Sequence, residues 1–128
     1  MNKITNLEGS RIEKTGLAAP SEHGNNPALA GYKNAMGSYL FLTGGYHFDQ
    51  ISKVSVYCVD RDQWSLGKSL NDARSGHFSC TLSEKLYVCS GAKVRSIEVA
   101  ECKDLIAGRL EAWQVLPDVQ YKIISAGK

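Results

Sequence analysis

The sequence predicts an all-β chain built from two copies of a four-stranded antiparallel unit. Three observations carry that prediction. Residues 31–45 align without a gap on residues 77–91, at an offset of 46. Each copy holds a short apolar run closed by glycine: Tyr39-Leu40-Phe41-Leu42-Thr43 before Gly44-Gly45, and Lys85-Leu86-Tyr87-Val88-Cys89 before Ser90-Gly91. The only two tryptophans, Trp64 and Trp113, stand 49 apart, so the period extends beyond the aligned stretch. Such a period is too long for leucine-rich or ankyrin units and falls among repeats made of four strands.

Each element follows from its residues. In the alignment Tyr32 meets Phe78, Met36 meets Leu82, Leu40 meets Leu86, Phe41 meets Tyr87, and Gly45 meets Gly91. The same alignment puts Ala28 and Gly31 opposite Arg74 and His77. A leading strand therefore opens each unit. The second strand is apolar at successive positions, which predicts burial on both faces. Residues 53–59 and 95–99 alternate, with Val54 and Val56 or Ile97 and Val99 on one face, and read as half-buried third strands. The outer strand lies at each tryptophan. Residues 101–111 are interrupted by Gly108 and read as an extended loop with at most one turn, in the region that holds the three extra residues of the second copy.

These landmarks divide the chain into a leader (1–27), a first repeat (28–74), a second repeat (75–117) and a tail or start of a third unit (118–128). Residues 121–126 have the composition of a leading strand, and residues 14–20 that of the end of a preceding outer strand. His23 falls in a Ser-Glu-His-Gly-Asn-Asn-Pro loop and receives no specific role.

Composition narrows the function classes. Fifteen basic and thirteen acidic residues leave a net charge of +2, scattered along the chain, which argues against a nucleic-acid partner. No run of 18 apolar residues occurs, which argues against a membrane partner. The first nine residues carry one lysine and no apolar core, so a cytoplasmic location is expected. Cys58, Cys80, Cys89 and Cys102 then read first as reduced thiols, second as a disulfide. Their spacing matches no metal motif.

No catalytic constellation emerges. His47 and Asp49 are two apart, too few for a metal site, and no carboxylate is spaced to orient His77 between Ser75 and Ser79. Gly44-Gly45 lacks the surrounding pattern of a phosphate loop. The expectation is no cofactor.

The order Gly44-Gly45, Tyr57, Asp60, Trp64, Leu70, Arg74, His77, then Leu86-Tyr87-Val88 and Gly91 resembles the kelch repeat. The second copy carries its tryptophan at Trp113 and departs from the pattern at Ser90 and at Ala100-Glu101. The resemblance covers residues 28–117. It implies two blades of a β-propeller, with Gly44, Gly45, Tyr57, Trp64, Arg74, His77, Gly91 and Trp113 as structural motif residues and His77 as a hydrogen-bonding residue near a blade junction. Two blades do not close a ring, so the expectation includes a piece of a longer propeller, self-association to complete one, or terminal segments that add strands.

What the resemblance implies about function is a non-catalytic adaptor or scaffold that binds another protein. The loop residues Tyr46, His47, Phe48, Arg61, Lys93 and Arg95 are the candidate contacts, because loops on a rigid scaffold carry variable side chains. The alternatives are a piece of a kelch-type enzyme, of the sugar isomerase or oxidase kind, and a truncated product without function.

Overall fold

Asn34 reverses the chain: its side-chain Oδ1 accepts the N–H groups of Met36 and Gly37 at 2.8 and 3.1 Å, the local bond that suits asparagine to turns. The computed structural model describes residues 23–92 and 94–116. The turn joins β1 (Ala28–Asn34) to β2 (Gly37–Thr43), paired antiparallel from Ala28↔Thr43 to Asn34↔Gly37. Gly44 and Gly45 follow at φ 66° and 128°. A Cβ on Gly45 would run into the His23 carbonyl, so both the backbone angle and the close approach require glycine. A two-strand hairpin, β3 (Tyr46–His47) and β4 (Asp49–Gln50), precedes β5 (Val54–Cys58) and β6 (Gln63–Leu66). The first sheet has the order β1-β2-β5-β6.

The linker 67–77 leads into β7 (Phe78–Leu82), β8 (Lys85–Cys89) and β9 (Ile97–Glu101). A short helix, α1 (Cys102–Ala107), separates β9 from β10 (Gln114–Leu116). These strands form a second four-stranded sheet of order β7-β8-β9-β10. Both sheets are antiparallel meanders whose strands follow chain order.

The two sheets pack face to face. Tyr39, Phe41, Val54 and Val56 of the first meet Leu86, Val88 and Ala100 of the second, with Cys102, Leu105 and Trp113 completing the cluster. Phe41 and Leu86 have no exposed surface, and each such side chain contributes about 1.5–3 kcal/mol relative to exposure. Polar ties cross the same seam. Thr81 Oγ1 donates to the Gly31 carbonyl at 2.8 Å, Trp113 Nε1 donates to the Lys68 carbonyl at 2.8 Å, and the Tyr32 hydroxyl donates to the Glu84 carboxylate.

Three expectations change. First, the offset of 46 holds between β2 and β8 but not between the leading strands. Leu40 pairs with Gly31, whereas its counterpart Leu86 pairs with Thr81, so β1 and β7 correspond at an offset of 50. The β1–β2 hairpin is longer by the pairs Lys33↔Ser38 and Asn34↔Gly37, and a gapless alignment crosses that difference without registering it. Gly31 is therefore the counterpart of Thr81, not of His77.

Second, the third strands are buried on both faces. Val54, Ser55, Val56 and Tyr57 are all buried, and so are Ile97, Glu98, Val99 and Ala100. Ser55 and Glu98 interrupt the apolar pattern without facing water.

Third, residues 102–107 are helical rather than extended. Gly108 ends the helix at φ 72°, and its N–H reaches the Leu105 carbonyl at 3.3 Å, the left-handed cap that glycine supplies. Trp64 and Trp113 occupy matching positions: Trp64 faces Tyr57, and the β9–β10 register carries Trp113 opposite Ala100. Their spacing of 49 combines a shorter link after Gly91 with the inserted helix. The expected strand at 121–126 and the outer-strand remnant at 14–20 lie outside the described residues.

Candidate functional site

The linker entering each sheet inserts a side chain behind the glycine turn. For the second sheet it is Arg74, which has no exposed surface. Its Nη1 donates to the Ser90 and Ser96 carbonyls at 2.9 and 2.8 Å, and its Nη2 donates to Glu98 Oε2 at 2.7 Å. Glu98, equally buried, also accepts the N–H groups of Asn71 and Asp72 at 2.6 and 2.9 Å. A buried carboxylate and guanidinium so fully bonded are tolerated inside a protein; either alone is not.

For the first sheet the inserted side chain is His23, also without exposed surface. Its Nδ1 lies 2.7 Å from the Gly44 carbonyl and its Nε2 2.8 Å from Ser55 Oγ. Gly44 is the counterpart of Ser90, and by strand register Ser55 is the counterpart of Glu98. The leader loop is therefore structured at His23, which corrects the reading that gave it no role. Neither partner was legible as such, because nothing in Ser-Glu-His-Gly distinguishes a buried histidine from a solvated one.

These linkers frame one end of the molecule. Asn25 and Tyr46 exchange backbone hydrogen bonds at 2.8 and 2.7 Å, and Ser75 Oγ donates to Gln50 Oε1 at 2.7 Å. Gly45 N–H donates to the Arg74 carbonyl at 2.8 Å, and Arg74 N–H donates to the Ile51 carbonyl at 3.0 Å. Out of this base rises the β3–β4 hairpin. Tyr46, His47 and Phe48 are exposed, with Phe48 at the apex 87% exposed and at φ 66°. The His47 and Phe48 rings meet edge to face at 4.5 Å. Arg95 is exposed on the corresponding link of the second sheet, at the same end.

Arg61 is not part of that group. It sits in the β5–β6 turn beside Asp60, whose Oδ2 accepts the Ser38 N–H at 2.9 Å, and so lies at the opposite end with the Asn34–Gly37 turn. Lys93 lies outside the described residues.

The remaining motif residues are internal. His77 Nε2 is 2.9 Å from Thr43 Oγ1, across the junction between the sheets. Burial, and then the neighbouring Arg74 charge, push its pKa down to about 4, so the imidazole is neutral at physiological pH. Its Nδ1 and Ser79 Oγ are buried and find no hydrogen-bond partner among the described residues. Tyr57 donates its hydroxyl to Asp62 and meets Trp64 ring to ring at 4.9 Å in a tilted contact; Trp64 is half-buried, whereas Trp113 is buried in the seam. No disulfide joins Cys58, Cys80, Cys89 and Cys102, and burial pushes the Cys102 thiol up to about 12. Among the described residues no three His, Cys, Asp or Glu side chains converge as metal ligands, and no helix is long and apolar enough to cross a membrane.

No family model matches the chain. Kelch-like protein 26 of Danio rerio is 29% identical over 99 residues, a match that covers 73% of this chain and 16% of that protein. A solved fungal alcohol oxidase in complex with copper superposes with a TM-score of 0.52 and 25% identity, covering 69% of this chain and 18% of the oxidase. The chain thus spans less than a fifth of either relative. Paired four-stranded meanders, the glycine turns, the matched tryptophans and these two similarities agree: the chain is similar to kelch-type repeat proteins and forms two consecutive four-stranded blades of the β-propeller kind.

Proposed function

We propose that this chain is a protein–protein interaction module and that the β3–β4 hairpin is its contact element. The observation that carries this reading is Phe48, at once 87% exposed and at φ 66°. A left-handed conformation costs a residue with a Cβ about 1–2 kcal/mol, and the exposed ring offsets it only through its edge contact with His47. Glycine or asparagine would suit that apex better. An exposed aromatic at that apex suits a binding role, because aromatic anchors dominate protein interfaces. The base of the hairpin is bonded to both linkers, so the ring is presented with little ordering left to do on binding. Similarity to a Kelch-like protein supports a binding role.

A catalytic role has less support. The oxidase relative holds copper, but the described residues of this chain bring no three metal-ligand side chains together and do not fit such a centre. The partner is another protein; location in the cytoplasm and self-association belong to the same proposal.

The test is a titration of the purified chain against its captured partner. Phe48→Ala is expected to weaken binding at least tenfold without lowering the melting temperature, while Arg61→Ala, at the far end, leaves affinity unchanged. Wild-type affinity in Phe48→Ala would remove the hairpin from the interface.

A further inference from the structure

We propose that His23 is the positioning residue of the contact hairpin, an inference that rests on the hairpin being the contact element. Four bonds of the first blade repeat four of the second. Gly44 N–H donates to the Lys53 carbonyl as Ser90 N–H donates to that of Ser96. Tyr46 N–H donates to the Asn25 carbonyl as Ala92 N–H donates to that of Ser75. His23 Nδ1 meets the Gly44 carbonyl as Arg74 Nη1 meets that of Ser90. His23 Nε2 meets Ser55 as Arg74 Nη2 meets Glu98. The histidine thus holds in the first blade the place that the Arg74 guanidinium holds in the second.

The hydrogen-bond chemistry fixes how it holds. A carbonyl only accepts, so Nδ1 carries the proton to Gly44, while Nε2 pairs with the Ser55 hydroxyl, which can serve as donor or acceptor. One ring therefore joins the leader segment to the glycine turn and to β5. Two residues on, Asn25 bonds to Tyr46 in both directions, and Tyr46 is the first residue of the hairpin. Among the described residues of the second blade, no strand pair stands between β8 and β9 at this place. In the first blade the same clamp has a projecting aromatic element to hold.

Hydrogen exchange tests this without a partner, so its failure is distinguishable from failure of the interaction reading. In His23→Ala the amides of Tyr46 and Ile51, bonded to Asn25 and Gly45, are expected to exchange at least tenfold faster, while amides of β8 keep wild-type protection. Ser55→Ala, a milder change should His23→Ala fail to fold, is expected to shift the same two amides in the same direction. His23→Gln, which retains a donor and an acceptor, is expected to restore part of the protection. Unchanged exchange at Tyr46 and Ile51 in both alanine variants, or a uniform rise that includes β8, would overturn the proposal. So would equal loss in His23→Gln and His23→Ala, which would assign the effect to lost volume.

Discussion

Ser90 holds φ 54° where the first blade has Gly44 at φ 66°, so the eroded motif is a strained position that the fold has kept. Glycine at this backbone angle removes the Cβ conflict, at some loss through the freer unfolded chain. Ser90→Gly is expected to stabilise the protein by about 0.5–1 kcal/mol, read as a rise of several degrees in Tm. An unchanged or lower Tm would show that the serine side chain is itself needed. His77 gives a pH prediction at the same scale. Its folded pKa, about 4, lies below the ordinary 6.5, so between those values the unfolded chain binds the extra proton. Its contribution is complete above pH 6.5 and is lost as pH falls towards 4. Tm measured across that window should fall less steeply in His77→Gln than in the wild type; parallel curves would contradict the assignment. Gly45 with Gly91 and Trp64 with Trp113 were legible in the sequence because they recur, and Gly44, Tyr57, Arg74 and His77 through the kelch resemblance, but His23, Ser55 and Glu98 were not. Each is a polar residue whose burial depends on a partner from another segment, and alternation alone read Ser55 and Glu98 as solvent-facing.

At the scale of elements, the buried strands were the easiest to read, because four successive apolar residues shortly before glycine have few alternatives. The leading strands were harder: a hairpin lengthened by two residue pairs leaves no mark in a gapless alignment. The helix was missed because Gly108, taken as an interruption, is its cap. What joins the elements is the clamp of Arg74 on Glu98, both without exposed surface. Removing one partner strands the other charge in the interior, at a cost of about 3–5 kcal/mol. Arg74→Met and Glu98→Leu should each be strongly destabilising, and the double variant should lose clearly less than their sum. Additive losses in denaturant melts would deny the coupling.

Across the whole molecule, the two blades share one apolar seam, and the linker, Trp113 and Glu98 bond across it. They should therefore unfold as one unit. Trp64 reports on the first blade and Trp113 on the seam, so single-tryptophan variants Trp64→Phe and Trp113→Phe should melt with transitions that coincide with the far-ultraviolet signal of each. Two separated transitions would mean the blades are independent. The all-β class, the two repeats and the four-strand units were visible in the sequence at this scale. Which loops share an end was not: Arg61 looked equivalent to Tyr46 and Arg95 until strand direction put it at the other end. That separation also supplies the internal control for the central claim. A photo-crosslinking amino acid placed at Phe48 in one sample and at Arg61 in another compares the two ends directly. The account predicts a discrete protein adduct from position 48 and none from position 61; adducts from position 61 alone, or from neither, would contradict it.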